Sequence, residues 1–496
     1  MDENPDQLPP DVTAEAERTS PDYRALAADP KAAARATAAV LASRVIVAGL
    51  GWAGSVIVAR SLGAEEWGQF SFVFALLGLM SVVTDLGVGR VVLAKLIDDD
   101  PDEIARTASS FLALRTVLGL VGYVLAVGYV LVLGYPSEVI LATVLGGLVV
   151  VFATPSHALS VLFQARHRML LVAVAESAGQ VLQLGLTVLA AVFAPTLLIF
   201  VLPAVANEAF RVVTKGLAVR RRSVGLRPSR HLDVHRWGPY LREAIPLAIG
   251  FALTIAMLKI DVLMLSLLDT FDAVGLYSIG YKFSDMMDTI TLAAVAPVST
   301  LLVAAWPTEL PTFRKRTRTA ALAFTTFGGV AVAAFWPSAD PLIRLLYGDR
   351  FVAGADAARL LVLGAAVMSL ILLGVFLLAS ASKQRHYPAV ALAGLVLNVV
   401  LNLILIPRYS YTGSAVATVV TFAVTVVALW VVIGRTMPVS GLLPVAPIGM
   451  VAVVTAAVAV VGSLLESAAP AWWFPISMVG AVVVGGTGFL LLRRQS

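Results

Sequence analysis

Apolar segments long enough to cross a lipid bilayer follow one another along most of the 496-residue chain. A hydrocarbon core about 30 Å thick requires roughly 20 apolar residues in a helix, and lipid leaves no other partner for the backbone hydrogen-bonding groups. About fourteen segments reach that length. They are predicted at 38–59, 70–94, 108–133, 138–162, 169–193, 195–214, 241–268, 273–303, 319–336, 356–380, 387–406, 411–434, 444–465 and 472–492. The sequence therefore predicts an all-α polytopic membrane protein.

Composition agrees with this class and excludes several others. The chain is 59% hydrophobic and 14% charged, whereas charged residues make up about 25% of an ordinary soluble protein. It has no cysteine, and its five histidines form no metal-ligand pattern. The pair His231 and His235 lies in a basic loop, where solvated side chains are the simpler interpretation. No metal site, cofactor or nucleic-acid partner is predicted.

The charges of the connecting loops predict the orientation. With the N-terminus inside, about twenty cations fall in cytoplasmic loops and about five in external loops, which is a clear positive-inside bias. Both termini are then cytoplasmic, in a cell (plasma or inner) membrane. Residues 1–37 are acidic and proline-containing without an apolar run, so they are predicted to be a disordered cytoplasmic tail.

Two internal echoes indicate a repeat. The sequence ARSLGAEEWGQFSF at 59–72 resembles SLLDTFDAVGLYSI at 266–279, with Gly68 aligned on Gly275. A second echo joins the segments that follow Gln164 and Ser382. The first twelve helices therefore form two parallel six-helix lobes, with the substrate site expected between them. The predicted units are 38–214, the basic linker 215–240, 241–435, and a two-helix extension with a short tail at 436–496.

Four stretches carry a family pattern. ARSLGAEEWGQFSF and the downstream TDLGVGR, together with LLYGDRFVAGADAARLL at 345–361 and LNLILIPRYSYTGSAVATVV at 401–420, resemble the oligosaccharide-lipid flippases of the O-antigen type. These proteins belong to the multidrug/oligosaccharidyl-lipid/polysaccharide exporter (MOP) superfamily. One departure is Tyr409-Ser410-Tyr411, where the family often has a glycine, and this predicts a slightly different turn.

The resemblance implies a fold and a function. The expected fold is two six-helix lobes in a V around a central cavity, plus two C-terminal helices. The expected function is to flip a polyprenyl-(di)phosphate-linked oligosaccharide from the inner to the outer leaflet by alternating access, for surface polysaccharide or glycoprotein glycan assembly. The expected partners are that lipid, membrane lipids, a coupling proton or sodium ion, and glycan polymerase or glycosyltransferase machinery.

The most unusual segment is the stretch Gly275–Leu292, because it carries Lys282, Asp285 and Asp288 inside an apolar region. A charged side chain at the bilayer centre costs about 2.5–3.5 kcal/mol on insertion scales, so it faces protein or a water-filled cavity. At helical spacing the polar residues share one face. Lys282 is expected to line the cavity or to pair with Asp285 at i+3, which leaves Asp288 without a local partner.

Further polar residues within the apolar segments are candidates for substrate contact. A cation suits a diphosphate, and arginine offers a fork of donors. Arg44, Arg90, Arg115 and Arg211 lie near the predicted cytoplasmic face, where snorkelling to the interface is the alternative. An amide pair on the eleventh segment can bond sugars or a neighbouring helix. The substrate-binding candidates are Arg44, Arg90, Arg115, Lys259, Lys282, Asn398 and Asn402.

Carboxylates within the segments are candidates for ion coupling, since a buried carboxylate can take up and release a proton. The candidates are Asp85, Glu208, Asp285 and Asp288, with a structural contact to a cation on another helix as the alternative. Asp261 lies near the predicted external end of its segment and is expected to be partly solvated.

Two other functions fit part of the pattern. An ion-coupled drug or metabolite antiporter of the same fold is expected to have an anionic cavity, whereas the charges here are mixed and include several arginines. A membrane glycan polymerase or ligase is expected to have a large catalytic loop with acidic or histidine groups. No such loop is evident in the sequence, so the chain is predicted not to be an enzyme.

Overall fold

The computed structural model describes residues 30–85, 87–96, 101–166, 168–221 and 233–494, and its regular structure there is helical. Most of the predicted tail, part of the basic linker, His167 and His231 lie outside the described residues. The helices are α1 Pro30–Ser61, α2 Ala64–Asp85, α3 Val88–Lys95, α4 Pro101–Val132, α5 Ser137–Gly146, α6 Leu148–Ala165, α7 Met169–Phe193, α8 Leu197–Arg220, α9 Trp237–Leu268, α10 Phe271–Val303, α11 Leu310–Tyr347, α12 Ala355–Ser380, α13 Tyr387–Thr436, α14 Val445–Ala468 and α15 Trp473–Arg493.

These helices account for the predicted membrane segments. Twelve helical stretches among the described residues are long and apolar enough to cross a membrane. One of them contains two crossings, because Ser410 interrupts α13 with φ 53° and ψ −140°. α2 runs back from the end of α1 as a further crossing, and α3 continues it after Gly87. The predicted all-α, multi-pass fold is confirmed.

The bundle has two ends that differ in their connections. The short turns at 62–63 and 269–270 lie at one end, which we call the turn end. The connections that contain Arg166, Arg221 and Lys383 lie at the opposite end, which we call the basic end. The central helices run between these two ends.

The two halves of the repeat cross at the turn end, where α2 meets α10. A Cβ on Gly68 would lie 1.8 Å from the carbonyl oxygen of Phe271, and a Cβ on Gly275 would lie 2.1 Å from the carbonyl oxygen of Ala64. Each glycine thus meets the residue four positions before the other glycine. This reciprocal contact agrees with the predicted alignment of Gly68 on Gly275 and with two parallel six-helix lobes.

Two arginines join the halves at the same end. Arg60 lies in the last turn of α1 and donates to the carbonyl oxygen of Leu345 at 2.6 Å. Arg350 follows α11 and donates to the carbonyl oxygen of Leu62 at 2.9 Å. Each arginine thus reaches the C-terminal carbonyls of a helix in the other half, which have no partner within their own helix. Together with the glycine crossing, these bonds close the turn end.

The last two helices pack against α11. Leu322 and Ala333 of α11 form a buried cluster with Val451 of α14 and Val484 of α15. A Cβ on Gly488 would lie 2.2 Å from the Thr326 side chain, so a small residue is needed at this contact. The two C-terminal helices are therefore an addition to the second half, as the fold class predicts.

The start of α9 is tied to the first half of the chain at the basic end. Arg236 donates through Nη2 to Glu103 of α4 at 3.0 Å and through Nε to Asp233 at 2.7 Å. The Arg236 guanidinium lowers the pKa of the Asp233 carboxyl through this hydrogen bond. Trp237 donates to the carbonyl oxygen of Ser110 at 3.1 Å. These bonds fix the chain as it passes from the linker to the second half.

Candidate central cavity

A cavity of about 310 Å³ with a mixed polar and apolar lining lies between the two halves, towards the turn end. Six helices, α1, α2, α7, α8, α9 and α10, contribute to it. Its lining is Leu50, Gly51, Gly54, Ser55, Val58, Phe70, Ser71, Phe74, Ala75, Gln180, Gln183, Leu184, Thr187, Phe200, Lys259, Val262, Ser278, Tyr281, Lys282 and Asp285. The cavity therefore combines hydroxyl, amide and charged groups inside an otherwise apolar bundle.

The second half supplies the charged wall. The Nζ of Lys259 lies 3.4 Å from Oδ1 of Asp285 and 4.7 Å from the centre of the Tyr281 ring. The Nζ of Lys282 lies 5.4 Å from the centre of the Trp67 ring, which belongs to the first half. A cation over an aromatic face is attracted by the ring quadrupole. Lys282 therefore lies at the boundary between the halves.

The ion pair of this wall differs from the sequence expectation. Among the described residues, Asp285 of α10 pairs with Lys259 of the neighbouring helix α9 and not with Lys282 of its own helix. Asp288 lies one turn further along α10, and its buried Oδ1 has no hydrogen-bond partner in the described part of the chain. The i, i+3 spacing allowed the intrahelical pair, but the packing of α9 on α10 brings a different lysine to the carboxylate.

The first half supplies a wall of side-chain amides. Asn207 of α8 donates through Nδ2 to Gln183 Oε1 at 2.6 Å and to Gln180 Oε1 at 3.4 Å. Both glutamines belong to α7 and line the cavity. Sequence reasoning missed these three residues, although amides inside apolar segments are themselves a signal of interhelical bonding or of a polar cavity.

A second pocket, of about 350 Å³, lies between the halves towards the basic end. Asp85, Arg90 and His157 line it, together with Phe251 of α9. The Arg90 guanidinium carbon lies 5.0 Å from the centre of the Phe251 ring, so a cation of the first half contacts an aromatic ring of the second. Arg90 itself is exposed.

Arg115 contacts Asp85 of this pocket and is almost fully buried. Its side chain is 2% exposed, and its Nη1 lies 2.6 Å from Oδ1 of Asp85. The same nitrogen donates to the carbonyl oxygen of Thr84 at 2.9 Å. Of this pair only Asp85, with 59% of its side chain exposed, is accessible from the pocket. Arg115 is therefore placed to hold Asp85, and not to reach a substrate directly.

A cluster of ionic groups lies inside the first half. Lys215, 1% exposed, lies 3.2 Å from Glu176 and donates to the hydroxyl of Ser160 at 2.9 Å. One turn earlier, Arg211 lies 2.8 Å from Glu208. The basic linker was predicted to begin at residue 215, but α8 continues to Arg220 and carries Lys215 into the protein interior. The prediction of a loop at Lys215 was wrong. A long lysine side chain can lie inside a helix bundle when a carboxylate pairs with its ammonium group.

Asp261 lies inside the second half and is fully buried, so the expectation of partial solvation was wrong. Its carboxylate accepts hydrogen bonds from the hydroxyls of Tyr277, at 2.5 Å, and Tyr281, and from Thr418 at 3.3 Å. The backbone N–H of Val262 donates to the other oxygen. No lysine or arginine among the described residues lies within ion-pair distance of it.

The remaining candidates lie away from the central cavity. Arg44 is exposed on α1. Asn398 and Asn402 are fully buried in α13, and Nδ2 of Asn402 donates to Oδ1 of Asn398 at 3.0 Å. They bond one another along one helix, an arrangement that neither the sugar-binding nor the interhelical interpretation anticipated. The described residues contain no group of three or more His, Asp or Glu side chains close enough to hold a metal ion.

The comparison with known protein families decides the family. A model of the family described as polysaccharide biosynthesis protein matches residues 33–300, which is more than half of the chain. The chain belongs to the polysaccharide biosynthesis protein family. No curated protein matches the sequence.

Solved structures resemble this polysaccharide biosynthesis family member in fold. Lipid II flippase MurJ, in an inward closed conformation, superposes with a TM-score of 0.73 at 13% identity, over 92% of this chain and 98% of that chain. An inward-facing multidrug resistance MATE family transporter of the MOP superfamily gives 0.61 at 16% identity, over 80% and 97%. The Vibrio cholerae MATE transporter VcmN gives 0.56 at 14% identity, over 82% and 96%.

The family match confirms the predicted resemblance to proteins of polysaccharide biosynthesis, and the likeness to solved structures confirms the expected fold of the chain. At identities of 13–16% the likeness to solved structures concerns the fold alone.

Proposed function

We propose that this protein is a flippase that moves a polyprenyl-(di)phosphate-linked oligosaccharide from the inner to the outer leaflet by alternating access. One observation carries the proposal. The cavity between the halves is lined by two lysines and by side-chain amides, while the protein around it is apolar. Membership of the polysaccharide biosynthesis protein family supports a glycan-linked substrate.

The chemistry of the cavity suits such a head group. Lys282 carries no carboxylate partner within ion-pair distance among the described residues, so its charge is available to a phosphate. Lys259 shares its charge with Asp285 and can turn towards an incoming anion. The amides of Gln180 and Gln183 offer hydrogen bonds to sugar groups. The polyprenyl chain remains in the bilayer, so only the head group requires a polar path.

Alternating access requires the turn end to open. In the proposed cycle the substrate enters from the basic end, which the positive-inside rule assigns to the cytoplasm together with both termini. The second pocket, with Arg90 and Asp85, lies on that route. Arg44 and Arg115 contribute at most indirectly, since the first is exposed on α1 and the second is bonded to Asp85. Separation of Gly68 from Gly275 then releases the head group at the outer leaflet.

The energy source in this proposal is a proton or sodium gradient. Asp285 and Asp288 on α10, Asp85 beside the second pocket and Glu208 in the first half remain candidates for the coupling group. Asp261 joins them, because it is a fully buried carboxylate that is bonded to hydroxyls and, among the described residues, has no cation within ion-pair distance. Such a carboxylate takes up a proton or a metal cation readily.

The charge of the cavity argues against the alternative antiporter. An exporter of cationic drugs is expected to use an anionic cavity, whereas the lining here contains two lysines and one aspartate. The aspartate is already paired with Lys259. An anionic substrate is therefore favoured.

Reconstitution tests the proposal directly. Purified protein in liposomes would receive a fluorescent polyprenyl-diphosphate-linked oligosaccharide, and an impermeant quencher would follow its passage between leaflets, with and without a proton or sodium gradient. We expect faster passage than in protein-free liposomes. A cationic dye serves as the comparison substrate. Transport of the dye without passage of the lipid-linked glycan would overturn the proposal in favour of the antiporter.

A further inference from the structure

Asn207 fixes the orientation of the two glutamine amides in the cavity wall. It is 3% exposed, and its Nδ2 donates to Oε1 of Gln183 at 2.6 Å and to Oε1 of Gln180 at 3.4 Å. Because each glutamine oxygen is held by Asn207, the NH2 group of each glutamine points elsewhere. Neither NH2 group donates to another described residue.

The reverse orientation of all three amides is unfavourable. It would turn the NH2 group of Asn207 towards Gly179. The two residues pack closely, since a Cβ added to Gly179 would lie 2.4 Å from the present Oδ1 atom of Asn207. Oδ1 has no partner there among the described residues. A buried N–H group without an acceptor is rarer in proteins than a carbonyl oxygen without a donor. Packing against Gly179 therefore selects the observed orientation.

The consequence is a cavity that is rich in donors on both walls. Gln180 and Gln183 present N–H groups from the first half, and Lys259 and Lys282 present ammonium groups from the second. The carboxylate of Asp285 is occupied by Lys259. A ligand that offers acceptors pairs with these groups, whereas a ligand that offers donors leaves them unpaired.

We infer that Asn207 is a positioning residue that makes the cavity select sugars bearing a carbonyl acceptor, such as an N-acetyl or carboxylate group, next to the diphosphate. This inference rests on the proposed flippase function and specifies the class of its substrate. Asn207 acts through the glutamines and does not itself line the cavity.

Three lipids that differ at a single sugar position test the inference. Short-chain polyprenyl diphosphates would carry N-acetylglucosamine, glucose or glucosamine, whose second carbon bears a carbonyl-containing amide, a hydroxyl or an ammonium group. Binding to the full-length purified protein in nanodiscs would be measured by calorimetry, and passage would be measured in liposomes. We expect the wild type to bind the N-acetylated lipid roughly tenfold more tightly than the glucosamine lipid, as one net hydrogen bond implies.

Two variants replace N–H donors of the glutamine wall with oxygen acceptors, each in a different way. In Asn207→Asp the carboxylate accepts from both glutamine NH2 groups, so both glutamine oxygens turn to the cavity and the preference shifts to glucosamine. In Gln183→Glu the residue presents an acceptor while Asn207 still donates to it, so the same shift is expected. Gln183→Glu decides the question if Asn207→Asp does not fold. Thr143→Val is the matched control, because the Thr143 hydroxyl donates to the carbonyl of Val139 in its own helix and lies outside the cavity lining.

The ratio of the affinities for the N-acetylglucosamine and glucosamine lipids separates a positioning role from general structural damage. A structural defect would weaken the binding of both lipids alike. An unchanged ratio in folded Gln183→Glu and Asn207→Asp overturns the inference. Equal binding and passage of the three lipids by the wild type would overturn this inference but not the proposed function. A wild type that neither binds nor passes any of the three lipids overturns the proposed function as well.

Discussion

Gly68 and Gly275 lie against one another where α2 and α10 cross, and neither position has room for a side chain. The residues occupy equivalent places in the two halves of the repeat. The close approach of two helix backbones at small residues is a common basis of helix packing in membranes. Here it lies beside the two arginine bonds that close the turn end.

Gly68→Ala or Gly275→Ala is expected to open this end. The new methyl group would overlap a backbone carbonyl, and overpacking of this kind costs about 1–3 kcal/mol. The population of the closed state should fall by about 5- to 150-fold relative to open states. Flipping should slow if return to the closed state limits the cycle.

Electron spin distances between two labels measure the change. The chain has no cysteine, so labels can be attached through Glu65→Cys and Asp272→Cys, two exposed positions beside the crossing. The closed state should give a short distance, which lengthens in the alanine variants. Gly78→Ala on the same helix is the control, because no atom lies within 4 Å of its added Cβ. Equal distances in Gly68→Ala and Gly78→Ala would contradict the prediction.

Arg60→Gln and Arg350→Gln are expected to weaken the same closure by smaller amounts. Each variant removes a charge-assisted bond to the carbonyls at the end of a helix in the other half. The Arg60 bond is exposed, so we expect about 0.5–1 kcal/mol for it and more for the Arg350 bond, whose acceptor residue Leu62 is buried. The same spin labels would report a broader distance distribution in each variant, and an unchanged distribution in the double variant would refute the role.

The sequence predicted the features that depend on local pattern. Segment length and hydropathy predicted the membrane helices, and the two matching motifs around Gly68 and Gly275 predicted the parallel repeat. Each of these signals is contained in a short stretch of sequence. The turn at Tyr409-Ser410-Tyr411 was also predicted, and Ser410 has a positive φ of 53° there, which separates the two crossings of α13.

The sequence did not predict which side chains of different helices pair with one another. Lys259 and Asp285 are 26 residues apart, and Lys215 and Glu176 are 39 apart, so helical spacing cannot pair them. The depth of Asp261 also depends on two tyrosines from a neighbouring helix. Charges in a bundle bond whichever helix packs beside them, and that packing is a property of the whole fold.

Lys282→Ala is expected to reduce glycan flipping without preventing membrane insertion. The variant removes a cation that has no carboxylate partner among the described residues. A hydrogen bond to a charged group is worth about 1.5–3 kcal/mol, which corresponds to about a 10- to 150-fold loss of affinity for the diphosphate lipid. Lys282→Arg should retain most binding. The exposed Arg385 at the basic end provides the control Arg385→Ala, and flipping at the wild-type rate in Lys282→Ala at matched protein level would disprove the role.

Asp288→Asn and Asp261→Asn are expected to affect coupling. Among the described residues, Asp288 has a buried oxygen without a hydrogen-bond partner, and Asp261 accepts hydrogen bonds from three hydroxyls and one backbone N–H but has no cation within ion-pair distance. Each variant keeps the shape of the side chain but removes the group that exchanges an ion. The acceleration of flipping by a proton or sodium gradient should be lost in the variant of the coupling residue, while flipping without a gradient continues. Asp349→Asn at the turn end is the control, and gradient dependence that survives in both test variants would exclude both residues.

Arg236→Gln is expected to loosen the start of α9, because Arg236 holds Glu103 and Asp233 together. Hydrogen exchange of residues 233–240, expressed as protection factors, would measure this loosening. The pKa of Asp233 is lowered from 3.8 by Arg236, so its bond is present above that value and is lost as the pH falls through the lower folded pKa. Protection in the wild type should therefore stay constant from pH 5 to 8 and fall only below about pH 3.8. A loss of protection between pH 5 and 7 would contradict this assignment, since a histidine titrates in that range and a carboxylate held by arginine does not.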